Sequence, residues 1–537
     1  MAVFSRRHFL LSSAAAIPAS LWANPPGAGK TRLGFVPSTH ARLARPASPE
    51  DPLDYLRVRD MVWKAIEYGA PRAGSLEAKI PAGAWVVIKP NIVALRPRDF
   101  YRTGDITDFR VTRAVLEYVA ARSKAGRVTI AEGGSYRRVS DPAEDNVCYQ
   151  NGVRVDARTF DWGPDEFPGF NGSLGGMLEA CQREHPGKKF DYVDLSYDTV
   201  RDEAGRFRRI EVPRAATGVG AFGGRPDYFV TNTICKCDFL ISVPVMKVHE
   251  QCGITCSLKN YVGTAPREAY APPGAFYNAA LHKEHSVEDR IDPFICDLAA
   301  FHPPDYTVVD AIRGLQYTEH NNNMPDQMIR SNLIFAGEDP VAADALAARL
   351  MGFNDQDMEF LHMAEQRGMG TLDRGRVDVI GDEPDRYFRR WAKPKRWYGR
   401  GSREWRVTRD PQAPLASWTR VTIPTDTLHF AQHLGAVTPG AAFGACTRLV
   451  SSGHQKGFLW VGARGKVTVR LNGEQVLAVE NRTRYRIGQF QQAVELKPGE
   501  NQLLFHVEAL RDAADLSVLM VNARNDGDTV EGIRWTA

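Results

Sequence analysis

From residue 53 to about 385 the hydrophobic pattern switches repeatedly between two periods, and after about 412 it keeps only one. In the first stretch, short apolar runs of strand length alternate with segments whose apolar residues recur every three or four positions. "AWVVIKPN" (84–91), "RVTIAEGG" (127–134), "FDYVDLS" (190–196), "CDFLISVPV" (237–245), "DYTVVDAI" (305–312) and "SNLIFAG" (331–337) read as strands. "DYLRVRDMVWKAIEYG" (54–69), "TRAVLEYVAARS" (112–123) and "DPVAADALAARLMG" (339–352) read as helices. The first ends at Gly69; the last starts from Asp339 as N-cap, with Pro340 in its first turn. Strands that are apolar along their whole length need cover on both faces. The pattern therefore predicts an α/β domain over 53–388, a mainly parallel sheet with helices on both faces.

From 412 to 537 the alternation is strictly apolar and polar. "GFLWVGA", "KVTVRLNGEQVLAVE", "QAVELKPGENQLLFHVEAL" and "LSVLMVNAR" are joined by turn formers such as Asn472-Gly473 and Pro498-Gly499. This predicts an antiparallel β-sandwich of jelly-roll type. Between the two parts lies "RRWAKPKRWYGRGSREWR" (389–406), the core of an expected basic linker over 389–411. It reads as solvated, with Trp391, Trp397 and Trp405 interleaved as in a polyanion-contacting arm. The net charge of the 537-residue chain is only +4, too small to imply a nucleic-acid surface.

The N-terminus, "SRRHFLLSSAAAIPASLWA", pairs Arg6 and Arg7 and follows them with Phe9 and Leu10. With Ser5 these match the S-R-R-x-F-L pattern, and residues 1–23 resemble a twin-arginine export signal. The resemblance implies the twin-arginine export machinery as a partner and a periplasmic or otherwise exported location. Residues 24–52 then read as a flexible mature N-terminus. Their "GAGKT" (27–31) is no phosphate loop, since Asn24 stands where the first glycine is needed and no strand precedes it. No later run of eighteen apolar residues exists, so no stable membrane span is expected. Eight cysteines in an exported chain invite disulfides, but no C-x-x-C pair occurs. A zinc ribbon and a four-cysteine iron–sulfur motif are therefore not spelled out.

In open α/β sheets, ligands bind beyond the carboxyl ends of the strands. Here those ends carry Lys89 and Asn91, Glu132, Asp310 and Arg313, and Glu338 and Asp339. "ISVPVMKVHEQCGITCSLKNYVG" (241–263) adds Lys247, His249, Cys252, Thr255, Cys256, Lys259 and Asn260 just past a buried strand. The expectation is one pocket lined by Lys89, Asn91, Lys247, His249, Lys259, Asn260 and Asp310. Lys247, His249, Lys259 and Asp310 are its acid/base candidates, and Lys89, Asn91, Thr255 and Asn260 its ligand- or cofactor-binding ones. Lysines, an imidazole and amides suit a carboxylate or phosphate. A helix begun by Thr255–Asn260 would add its N–H groups. A metal ion is a second option, held by His249, Cys252 and Cys256 at spacings of three and four, with His282 and His285 as another pair.

These residues resemble the DUF362 family. The recurrent elements stand as Lys89-Pro90-Asn91; Pro244, Lys247 and His249; Thr255, Lys259, Asn260 and Gly263; Asp310; and Gly337, Asp339, Pro340, Val341, Ala342 and Asp344. They run in the family's order over roughly 84–352. Cys256 departs from the glycine usual after the threonine, and "LQYTEHNNNMPDQ" (315–327) replaces a glycine-rich stretch. The added iron–sulfur segment of some relatives is absent. "VTVRLNG" and "LKPGENQLLFHV" resemble the galactose-binding-like jelly rolls attached to exported carbohydrate enzymes. The resulting expectation is an exported enzyme acting by acid/base chemistry on an anionic or sugar-derived small molecule, cofactor- or metal-assisted. The alternatives are a non-catalytic periplasmic protein binding carbohydrate or polyanion, and a metal or redox protein using the clustered cysteines.

Overall fold

The computed structural model describes residues 29–93, 104–133, 172–271, 279–287, 290–320, 324–394, 401–423, 425–483, 485–525, 529–530 and 532–537. It also gives the backbone of Val147–Gln150 and Val153–Asp156. The export signal expected over 1–23 lies outside the described residues. The chain divides into two compact units, one up to Asp355 with Phe360–Pro394, the other Gln356–Glu359 with Lys395–Ala537.

The first unit is built on eight strands: Thr31–Pro37 (β1), Trp85–Pro90 (β2), Arg127–Glu132 (β3), Lys189–Asp194 (β4), Phe239–Val243 (β5), Tyr306–Leu315 (β8), Met328–Gly337 (β9) and Val377–Gly381 (β10). A small hairpin, Lys247–His249 (β6) with Gly253–Thr255 (β7), stands apart. The order across the large sheet is β10-β1-β9-β8-β5-β2-β3-β4. β9 runs antiparallel to both neighbours and every other pairing is parallel, so the sheet is mixed.

The helices form where expected. Tyr55–Tyr68 (α1) starts at Asp54, whose side chain accepts from Arg57 N–H, and ends at Gly69. Phe109–Arg122 (α2) is capped by Asp108, and Leu174–Glu184 (α3) by Ser173. Their Val58, Val62, Val115, Val119 and Leu178 form one core with Val86, Ile88, Val128, Ile130, Ile241 and Val308 of the sheet. Asp292–Ala300 (α4) and Pro340–Leu350 (α5) follow, and α5 packs on β8 and β9. Among the described residues no helix is long and apolar enough to cross a membrane.

Two boundaries change. Residues 31–37, within the stretch read as a flexible N-terminus, form an inner strand of the sheet. Gly34 lets that strand lie on the end of α1, because a Cβ there would collide with Ala65 O. In the stretch read as a solvated basic linker, residues 395–400 with Trp397 lie outside the described residues, while Trp391 and Trp405 are buried and Glu404–Thr408 is a strand.

That strand (β11) belongs to the second unit, with Ala442–Ser451 (β12), the 17-residue Gln455–Leu471 (β13), Gly499–Glu508 (β14) and Asp515–Asn522 (β15). The pairing establishes a curled antiparallel sheet. The first half of β13 pairs with β15 and the second half with β14, so one strand serves both halves. Gly465, with φ +121°, sits where the partners change. The turn at Asn472-Gly473 has positive φ at both residues, as a tight hairpin of right-handed twist requires. Trp405, Phe443, Leu459, Val469, Phe505 and Val518 are among the residues of its core.

Candidate functional site

Residues alternate sides along a strand, so Lys89, beside Ser242 in the β2–β5 register, faces away from the α1–α3 core. Burial leaves its ammonium with no water, and the fold supplies partners instead. Nζ donates to Glu132 Oε2 (2.7 Å), Asn260 Oδ1 (3.0 Å) and Pro90 O (3.1 Å). Burial pushes the Lys89 ammonium down and the Glu132 carboxyl up, each opposed by the other's charge. Asn260 Nδ2 donates to Lys89 O (2.9 Å) and Ser242 Oγ (3.1 Å), and Asn91 Nδ2 to Asn260 Oδ1 (3.4 Å). Gly263 is glycine for a steric reason. A Cβ there would strike Glu132 Oε1 and come within 2.9 Å of Lys89 Nζ.

Above this cradle lies a cavity of about 390 Å³ lined by Asn91, Glu132, Lys247, His249, Thr255, Lys259, His282, Glu319 and His320, among others. The β6–β7 hairpin pairs Lys247 with Thr255 and His249 with Gly253, which sets Lys247, His249 and Thr255 on one face. His249 Nδ1 accepts from Gln251 N–H (3.2 Å), leaving the ring proton on Nε2, 3.4 Å from Glu319 Oε1. Burial, with Lys259 and Lys247 adding to it against Glu319, holds the imidazole well below its ordinary range, so it is neutral. Burial works to raise the Glu319 carboxyl and is opposed by the charges that His249 and His320 carry when protonated and by the N–H of Glu250 (3.0 Å). Lys247 donates to Glu319 O (3.1 Å) and Asp105 O. Lys259 has neither a hydrogen bond nor an ion-pair partner among the described residues. His282, though exposed, also lines the cavity, with its ring edge-on to Phe294 (centroids 5.3 Å apart).

The cavity wall thus includes Asn91, Lys247, His249, Thr255 and Lys259, and Lys89 and Asn260 support it from below. Asp310 does not join them. One strand residue's shift puts it on the α2 side, where its carboxylate accepts from Asp108 N–H (2.8 Å) and Ile312 N–H (3.0 Å). Burial, then the charge of Asp108, raises it to about 7. Nor do His249, Cys252 and Cys256 meet as ligands. Cys256 follows Thr255 and points the other way, toward Asp344, and both thiols are held protonated, chiefly by burial. Among the described residues no group of three His, Cys, Asp or Glu side chains is arranged to hold a metal, and the described cysteines are free thiols. His285 stacks on Tyr228, ring centroids 3.7 Å apart, away from His282.

The expected helix after Thr255 is a short 3-10 segment, Lys259–Thr264. The N–H groups of Ser257 and Leu258 are already taken by Asp344 (2.7 and 3.0 Å) and so cannot anchor an anion. Glu319 and His320 were not among the candidates, and Glu132 was noted only as a strand-end group. The alternating strand pattern flags Glu132, while the loop carrying Glu319 has no periodicity to read.

The solved structures that resemble parts of this chain do so faintly. A β-glucosidase from Kluyveromyces marxianus in complex with glucose shares 11% identity, over 23% of this chain and 16% of that one, with a TM-score of 0.19. The PA14 sugar-binding domain from an RTX adhesin shares 17%, over 15% and 45%, at 0.13. A family 35 carbohydrate-binding module from an environmental isolate shares 18%, over 19% and 79%, at 0.14. Likeness at that level carries no argument about function. No curated protein matches the chain. The family model described as "Domain of unknown function (DUF362)" matches residues 176–349, the stretch holding the hairpin, Lys259–Asn260 and Asp344, and supports the DUF362 family for this chain.

Proposed function

We propose that this chain is an exported enzyme that binds an anionic, sugar-derived small molecule at the strand ends and transfers a proton there. The reading is carried by one observation: an unpartnered Lys259, a neutral His249 and the carboxyl of Glu319 meet around one cavity. Lys259 neutralises a carboxylate or phosphate. His249 donates its Nε2–H to an oxygen of the ligand, which polarises the adjacent bond, as a neutral imidazole does without giving its proton away. Glu319 is the base that takes the proton so loosened. Lys247, engaged with two carbonyls, positions the Glu319 loop. Export is supported by Arg6-Arg7 and the residues that follow them.

The test is solvent-deuterium incorporation into a panel of sugar acids, followed by NMR. Wild type exchanges a C–H of its ligand, Glu319→Gln binds without exchanging, and Lys259→Ala loses binding. Exchange by Glu319→Gln at the wild-type rate sinks the catalytic assignment. Binding without exchange by any form leaves a carbohydrate- or polyanion-binding protein.

A further inference from the structure

Two polar atoms of residues in the walls of this cavity have no partner among the described residues. Asn91 is 8% exposed and Thr255 2%, and neither Asn91 Oδ1 nor Thr255 Oγ1 is hydrogen-bonded. The orientation of the Asn91 amide follows from its neighbours. Asn260 Oδ1 accepts from Lys89 Nζ while Asn260 Nδ2 is committed to Lys89 O and Ser242 Oγ. Asn260 therefore offers only an acceptor, and Asn91 must turn its Nδ2 toward it. What remains is Oδ1, an acceptor waiting for a donor. A carboxylate or phosphate oxygen cannot supply one, and a hydroxyl can. Leaving a buried polar atom unpaired is costly, and a native site keeps two such atoms in residues of one cavity wall that also holds Lys259 where a ligand completes them.

We propose that the ligand is a hydroxylated anion, its charge set against Lys259 and its hydroxyls against Asn91 Oδ1 and Thr255 Oγ1. This rests on the reading of the cavity as an anion site and adds what selects among anions: a polyol chain or ring attached to the charged group. Closing the two bonds requires both side chains to turn toward the cavity, since the residues line it while the two atoms are themselves covered.

Calorimetry on the full chain with matched probes tests it: gluconate against hexanoate, and sorbitol 6-phosphate against hexyl phosphate. Wild type should bind the hydroxylated member of at least one pair about tenfold or more tightly, and that pair identifies the charged group as carboxylate or phosphate. Thr255→Val, which swaps an unpaired hydroxyl for a methyl and so keeps the fold, should lower only the hydroxylated probe's affinity, as should Asn91→Leu. Equal affinities within both pairs in wild type, or equal losses for both members in Thr255→Val, overturn this proposal and leave the anion site standing. Failure of all four probes to bind overturns the anion site as well.

Discussion

Two buried asparagine clusters, one in each unit, use the same chemistry to different ends. In the antiparallel unit Asn501 Oδ1 accepts from Lys497 N–H (2.9 Å) and Asn472 Nδ2 (3.0 Å), while its Nδ2 donates to Lys497 O (2.8 Å) and Gly499 O (3.1 Å). Every valence is filled from within, and the product is a locked pair of turns. In the α/β unit Asn260 is filled in the same way, but Asn91 beside it is left one acceptor over, and Lys259 one positive charge over. A closed polar network specifies structure; one with spare valences beside a cavity specifies a ligand. Burial alone does not tell them apart.

The comparison can be broken at its strongest point first. Glu132→Ala leaves the Lys89 ammonium buried and unpaired, and should cost about 3–5 kcal/mol in urea unfolding. A loss below about 1 kcal/mol would mean that water reaches Lys89 and the cradle is not sealed. Asn501→Ala should cost about 1–3 kcal/mol by the same measurement, because several backbone groups lose their partner at once. A larger loss there than at Glu132 would reverse the ranking of the two clusters.

Acidity sharpens the contrast. His285 is neutral in the fold, pushed from 6.5 to about 4 by burial, whereas in the unfolded chain it takes up a proton below 6.5. The unfolded state thus binds more protons between those values, and stability is lost as pH falls from 6.5 toward 4. His285→Gln should make acid unfolding shallower in that window, and an unchanged slope would show the ring already protonated in the fold. The smallest effect is on Lys259→Ala, expected within about 0.5 kcal/mol of wild type in stability, since the described residues give its ammonium no partner to lose. A marked drop would show that Lys259 holds the fold together and is not reserved for a ligand.

How far the sequence carried this picture depends on what each residue type could signal. Helix ends were legible because Asp54, Gly69, Asp339 and Pro340 are cap and first-turn residues whose chemistry fixes a boundary. The strand Glu404–Thr408 was hidden by charge: Trp405 and Val407 point inward, but Arg403, Glu404 and Arg406 made the stretch look solvated. The sandwich expected after 412 emerges as a curled antiparallel sheet, since alternation reveals which face is buried and not which strand lies beside which. In the site, residue types were legible and directions were not. In β8 both faces are buried, so nothing in "YTVVDAIRGL" marks Thr307 as facing Ser257 and Asp310 as facing Asp108.

The place of β1 also dictates when this molecule can come together. Leu33 finds its two sheet neighbours at Gly337 and Val379, so the first of the described strands waits for the last strand of its sheet. Until then Leu33, Phe35 and Val36, all fully covered in the finished fold, have α1 to sit against but no strand to pair with. Assembly of this unit is a late, long-range event, slow by its topology and exposed to mispairing while it waits. A chain interrupted between residues 345 and 376 would carry every site residue named above but lack the β10 edge of the sheet.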